Sequence, residues 1–121
     1  MKSTLRAGMS HVDRIIVDRD RSVGDIEHAC RGLLREHTDP GEDSVGMQIA
    51  VRHTAPTLLG MGVEIAATVA AVDGRKIAFA ITAKDDVEPI ATGTHTRFVV
   101  DVKKTHQRLK VKASKRSARV G

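Results

Sequence analysis

Two runs of alternating residues on either side of Asp73-Gly74 constrain the fold more than any other feature of the chain. In residues 62–72 and 75–84, apolar side chains recur at every second position, which is the period of a strand with one buried face. Asp73-Gly74 is a two-residue loop of the kind that suits the twist of a β-hairpin. The sequence therefore predicts an antiparallel hairpin as part of a sheet.

Three further segments have β-strand patterns. A short β-rich run covers residues 11–18, a second runs from Gly46 until Pro56 prevents further pairing, and a third covers residues 90–102. In the third run, His95 and Arg97 alternate with a threonine-rich face. Together with the hairpin, these segments make a sheet of about five strands.

One segment alone has helical periodicity. Ser22 is a suitable N-cap with Asp25 three residues later, and Asp39-Pro40-Gly41 ends the segment, so a helix is predicted over residues 23–37. Its apolar stripe consists of Ile26, Ala29, Cys30, Leu33 and Leu34. Because nothing else in the chain can cover this stripe, the sheet must wrap the helix. The predicted fold class is α+β, with one helix on an antiparallel sheet.

The basic residues are concentrated at the end of the chain. Residues 103–121 hold eight of the 20 Lys and Arg residues and none of the 15 acidic ones. We therefore predict an N-terminal segment at residues 1–10, a domain at 11–104 and a mobile basic tail at 105–121. Attraction of the tail to an anion is the alternative interpretation.

The remaining composition limits the setting and the chemistry. Cys30 is the only cysteine, which excludes an intramolecular disulfide, favours a cytoplasmic protein and suits a small core residue. No apolar run approaches the roughly 18 residues of a membrane span, and residues 1–10 lack the apolar middle of a signal peptide. The six histidines show no ligand spacing, so no metal site is expected.

Two side chains are candidates for chemistry. Glu27 lies on the flank of the helical stripe, where partial desolvation would suit a carboxylate to proton transfer; the alternative is a surface pair with Arg31. His53 stands where a strand becomes a hydroxyl-rich loop, a common place for a ligand-facing side chain. The alternative for His53 is a polar cap that bonds a neighbouring carbonyl.

Several segments together resemble the fluoroacetyl-CoA thioesterase family of single hot-dog domains. These segments are Glu27-His28-Ala29-Cys30, residues 40–46, residues 51–57 with the His53-Thr54-Ala55-Pro56-Thr57 loop, Gly74-Arg75 and residues 90–97 with Gly93-Thr94-His95. They follow the family's order and spacing from about Val23 to Lys112. The resemblance implies a hot-dog fold, in which a curved antiparallel sheet wraps one central helix.

The resemblance also implies a function and a site. It implies an acyl-CoA thioesterase in which Glu27 acts at a small acyl thioester, His53 is the catalytic histidine and the Gly46 N–H stabilises the thioester oxygen. Arg97 would lie near the CoA end of the substrate, with Thr54 and Ser22 as further substrate-binding residues. A homodimer, or a dimer of dimers, would bring Glu27 and His53 together across the subunit interface. No cofactor is expected beyond the CoA of the substrate.

The chain departs from the family before the helix. The family has a long lid segment and a threonine there, whereas this segment is much shorter and Arg19 stands at the threonine's position. We therefore expect a wider pocket that accepts other acyl-CoA esters, with Glu27 activating a water. The alternatives are a non-catalytic acyl-CoA or small-ligand binder and, least favoured, a nucleic-acid-associated protein that uses the tail. Lys103, Lys104 or Arg108 could instead meet the CoA phosphates.

Overall fold

The structure is a computed structural model that describes the backbone of residues 1–17 and 22–120 and the side chains of residues 1–17 and 24–117. Its elements, in chain order, are β1 (Ser10–Ile16), α1 (Ser22–Arg35), β2 (Glu42–His53), β3 (Gly62–Asp73), β4 (Lys76–Lys84), β5 (Pro89–Asp101) and α2 (Val102–Val120). The Ser22 side chain and Arg19, both named in the sequence analysis, lie outside these described residues.

The five strands form one antiparallel sheet in the order β1-β3-β4-β5-β2. The predicted hairpin is confirmed as β3 and β4, and Gly74 takes a positive φ of 59° in its turn. β2 lies at the edge of the sheet and pairs only with β5 among the described strands. Its other side therefore presents backbone groups that pair with no strand in the part of the chain that the structure describes.

The core lies between α1 and one face of the sheet. The predicted helical stripe is confirmed, because Ile26, Ala29, Cys30, Leu33 and Leu34 are all buried. Opposite them lie the inward side chains of β3 and β4, which are Val63, Ile65, Ala67, Val69, Ile77, Phe79 and Ile81. The predicted α+β fold, with one central helix on a five-stranded antiparallel sheet, is confirmed.

The start of β2 and the end of α1 are two of the boundaries that differ from the sequence prediction. β2 begins at Glu42, four residues before Gly46, because its polar start is held by partners elsewhere in the chain: Asp43 binds Arg31 and Ser44 binds Arg97. α1 ends at Arg35, two residues early, and turns through backbone bonds to Leu33 and Leu34. Local periodicity carries no information about such distant partners.

The basic segment after β5 forms helix α2, for which the sequence analysis predicted no regular structure. The Asp101 carboxylate accepts a hydrogen bond from the Lys104 N–H at 3.0 Å, which caps the first turn. The Thr105 hydroxyl donates to the Asp101 carbonyl, also at 3.0 Å. Over the residues described, neither helix is both long and apolar enough to cross a membrane.

Candidate active site

Glu27, Gly46, His95 and Arg97 meet where α1 crosses the first half of β2. A Cβ placed on Gly46 would lie 3.3 Å from His95 Cε1, 3.5 Å from Glu27 Oε1 and 3.6 Å from Arg97 Nη1. The absent side chain of Gly46 thus leaves a space bordered by a carboxylate, an imidazole and a guanidinium. An atom in this space would contact a negative and a positive group at once.

Arg97 is fixed by hydrogen bonds to β2, and only 5% of its surface is exposed. Its Nε donates to Ser44 Oγ and its Nη2 donates to the Ser44 carbonyl, both at 2.8 Å. Burial lowers the pKa of Arg97, and the charge of Glu27 opposes that effect. The guanidinium turns inward beside Glu27. The position of Arg97 near the CoA end of a substrate, which the resemblance implies, stays a prediction.

His95 is held in one tautomer by its two partners. Its Nδ1 lies 2.8 Å from the Gln48 carbonyl, which can only accept, so Nδ1 carries the proton. Its Nε2 lies 3.2 Å from Arg97 Nη1, which can only donate. Nε2 is therefore unprotonated and accepts this hydrogen bond, and the ring is neutral. Burial lowers the pKa of His95, and the Arg97 charge lowers it further, while the Gln48 bond and Glu27 oppose the shift.

The partner of Arg31 excludes one of the two interpretations of Glu27, and the other stays a prediction. Arg31 donates to Asp43 from Nε at 3.1 Å and from Nη2 at 2.6 Å, so the predicted alternative, a surface pair between Glu27 and Arg31, is wrong.

Cys30 is buried, and burial raises the pKa of its thiol to about 12, with Arg97 opposing. The thiol therefore stays protonated, as the prediction of a small core residue requires.

His53 lies at the other end of β2, at the rim of a cavity of about 740 Å³. This cavity opens between the start of α1, the ends of β1, β2 and β4, and the starts of β3 and β5. Its apolar lining includes Ile15, Ile16, Val17, Ile26, Val63, Ile65, Ala83, Ile90 and Ala91. Its polar lining consists of Asp25, His53, Thr54 and Thr57. The His53 side chain is exposed and makes no hydrogen bond to the described part of the chain, so no carbonyl cap of the predicted kind is seen there.

Within a single chain, the site residues predicted from the sequence therefore lie in two separate groups. Glu27, Gly46 and Arg97 come together, whereas His53 lies seven residues further along β2, about 23 Å away at strand rise, and Thr54 follows directly after the strand. Thr54 continues the strand pairing through its N–H, which donates to the Ile90 carbonyl at 2.9 Å. Within residues 1–17 and 22–120, no group of three or more His, Cys, Asp or Glu side chains is placed to hold a metal.

Sequence reasoning assigned no role to Ser44 and none to His95 beyond its motif. A signal for His95 was present, because it alternates in step with Arg97 and Val99, and all three prove to be buried. A buried histidine and arginine on one strand face require polar partners. Nothing in the sequence identified Ser44, since it bonds Arg97 across 53 positions of the chain.

Comparisons with known proteins identify the family of this chain. A family model described as "FlK: Fluoroacetyl-CoA-specific thioesterase" matches residues 20–103. The chain belongs to the FlK family. A curated fluoroacetyl-CoA thioesterase from Streptantibioticus cattleyicolor is 37% identical to it over 90 residues, which cover 74% of this chain. The chain spans 65% of the length of that relative.

Solved structures show the same fold. A crystal structure of a single-residue variant of the fluoroacetyl-CoA-specific thioesterase FlK matches with a TM-score of 0.83 at 28% identity, over 92% of this chain and 99% of that one. A hot-dog-like protein from Thermanaerovibrio acidaminovorans matches with a TM-score of 0.81 at 23% identity, over 88% of this chain and 91% of that one. The FlK-family chain therefore has the hot-dog fold that the sequence resemblance implied.

Proposed function

We propose that the protein is an acyl-CoA thioesterase whose active site forms between two copies of the chain. The observation that carries this proposal is the carboxylate of Glu27 beside the open space at Gly46, on an edge strand that also carries His53. Membership of a thioesterase family and acyl-CoA thioesterase relatives support the same reaction class.

The edge position of β2 explains how two separated groups could act together. Two copies of β2, paired antiparallel about a point between Ile49 and Ala50, would place Gly46 of one copy opposite His53 of the other. Val45 and Met47 are exposed apolar residues on this strand, and a second copy would cover them. Such a homodimer would contain two equivalent sites, each with Glu27 and Gly46 from one copy and His53 from the other.

The proposed reaction is hydrolysis of the thioester. Glu27 accepts a proton from a water whose oxygen attacks the carbonyl carbon, and the Gly46 N–H and the nearby Arg97 charge stabilise the oxyanion that forms. The C–S bond then breaks, and protonated His53 delivers its proton to the leaving sulfur of CoA. The proton that Glu27 took from water then passes through solvent to His53, which restores both groups. The products are a carboxylic acid, ionised in water, and free CoA.

Release of free CoA from a panel of acyl-CoA esters tests the activity. Glu27→Gln should lower kcat by about 10²- to 10⁴-fold, the usual contribution of a general base. Glu36→Gln is the matched control, because Glu36 is an exposed carboxylate just past the end of α1. Equal activity of wild type and Glu27→Gln on every hydrolysed ester would remove Glu27 from the reaction.

Mixing two inactive variants tests the shared site. A dimer of one Glu27→Gln copy and one His53→Ala copy would keep one intact site, so random mixing should restore about one quarter of wild-type activity. The same mixture would stay inactive if each copy held a complete site of its own. Exchange of subunits is checked by mass spectrometry of the mixed sample.

A non-catalytic acyl-CoA binder is the second candidate. The separation of His53 from Glu27 within one chain favours it, because a single copy does not assemble both groups. Saturable binding of an acyl-CoA without release of CoA by the dimer would support this candidate over the thioesterase.

A further inference from the structure

The shape and lining of the cavity beside His53 indicate which acyl groups a substrate can have. This inference rests on the proposed thioesterase function. Its rim is formed by the exposed side chains of His53 and Thr54, and its far wall by buried apolar residues such as Ile26, Ile65 and Ala83. A path therefore leads from the proposed reacting histidine into the space between helix and sheet.

The size of the cavity exceeds the needs of a two-carbon acyl group. At about 740 Å³ it lies within the range of roughly 300–1,000 Å³ that holds drug-sized ligands. An acetyl or fluoroacetyl group would occupy only its entrance and leave the apolar wall in contact with water. An acyl chain that reached the wall would bury both surfaces.

The lining also limits the chemistry of the acyl group. Away from the His53 rim, its polar side chains are Asp25 and Thr57, and the Thr57 hydroxyl lies 3.5 Å from Met61 Sδ. No lysine or arginine is among the described lining residues, so none of these residues would neutralise an acyl carboxylate. A carboxylated acyl group such as malonyl is therefore disfavoured.

We propose that the preferred substrates are thioesters of uncharged, apolar acyl chains of medium length, roughly six to ten carbons, whose tails fill this cavity. This substrate class replaces the small acyl group that the sequence resemblance implied. Each added methylene should raise kcat/KM about four-fold until the cavity is full.

The test is kcat/KM for acetyl-, butanoyl-, hexanoyl-, octanoyl-, decanoyl- and malonyl-CoA with the full-length chain. Octanoyl-CoA should exceed acetyl-CoA by at least about 100-fold. Ala83→Leu fills part of the cavity and should move the optimum about three carbons shorter, lowering octanoyl-CoA turnover at least tenfold and acetyl-CoA turnover less than twofold. Ala80→Leu, on the exposed face of the same strand, should leave the profile unchanged.

Ala55→Leu is a second cavity-filling variant, included in case Ala83→Leu does not fold. Ala55 lines the same cavity from a loop, so its replacement should shift the preferred chain length in the same way. A profile that peaks at acetyl-CoA, or a loss in both filling variants that is equal for all esters, would overturn this inference and leave the thioesterase intact. Absence of CoA release from every ester would overturn the proposed function, and the substrate class with it.

Discussion

The two ends of β2 differ in how their functional groups are held. At the Gly46 end, Arg97 and His95 are buried and fixed by hydrogen bonds to Ser44 and to the Gln48 carbonyl. At the other end, His53 is exposed above an apolar cavity. A fixed polar cluster suits the stabilisation of charge, and an open apolar cavity suits the variable part of a substrate. Each end thus supplies what the other lacks, which is why we propose that two copies combine them.

Loss of Arg97 should have the largest effect on stability. Arg97→Met removes the hydrogen bonds to Ser44 Oγ, the Ser44 carbonyl and His95 Nε2, and leaves these groups and Glu27 without a buried cation. The free energy of unfolding should fall by about 2–4 kcal/mol, measured by urea denaturation. His53→Ala, at the exposed end, should change it by less than about 0.5 kcal/mol. Similar losses in both variants would show that the two ends do not differ in this way.

Filling the space at Gly46 should lower the activity of the protein without unfolding it. Gly46→Ala brings a Cβ to 3.3 Å from His95 and 3.5 Å from Glu27 Oε1, in the space that the proposed reaction needs. We expect kcat to fall about 10- to 100-fold, equivalent to about 1.4–2.7 kcal/mol. A thermal melt should show that the variant remains folded.

Gly24→Ala provides the matched control for that substitution. Its added Cβ meets nothing within 4 Å, and Gly24 lies within α1, where alanine is favoured over glycine by about 0.5–1 kcal/mol. This variant should gain stability and keep full activity. A Gly46→Ala enzyme as active as Gly24→Ala would show that the reacting atoms lie elsewhere.

The same contrast separates what sequence could predict from what it could not. The hairpin around Gly74 and the apolar stripe through Ile26 and Cys30 are local patterns, and both are confirmed. The polar start of β2 is not local, because Asp43 and Ser44 join the strand through Arg31 and Arg97. Alternation along β5 placed Arg97 on the same face as His95, but it did not indicate that this face is buried or that the guanidinium turns toward Ser44.

Helix α2 was not predicted from the sequence, for a different reason. Its run of bases without an acid is typical of a solvated terminus, and its helical pattern is weak because no continuous apolar stripe runs along it. The structure supplies what the pattern lacked, namely the Asp101 cap and its placement directly after β5. The predicted mobility of this segment stays a prediction.

His95 should make stability depend modestly on pH. Its pKa in the folded protein lies below the ordinary value of 6.5. Well above pH 6.5 the ring is neutral in both states, so it adds no pH dependence there. As the pH falls below 6.5, the unfolded chain takes up a proton that the native His95 resists, so stability decreases until the pH passes below the native pKa. The decrease cannot exceed about 1.4 kcal/mol per pH unit for one group.

His95→Asn isolates this contribution, because asparagine retains an N–H that can reach the Gln48 carbonyl and does not titrate. The free energy of unfolding, measured in urea at pH 7.5 and 5.5, should fall more for wild type than for His95→Asn, by about 0.5–1 kcal/mol. The other histidines are the same in both proteins, so they cancel in the difference. Equal losses would mean that protonated His95 is accommodated beside Arg97, with Glu27 compensating the added charge. The cluster at Gly46 would then tolerate a second positive charge, and a neutral His95 would no longer be needed to hold Arg97 in place.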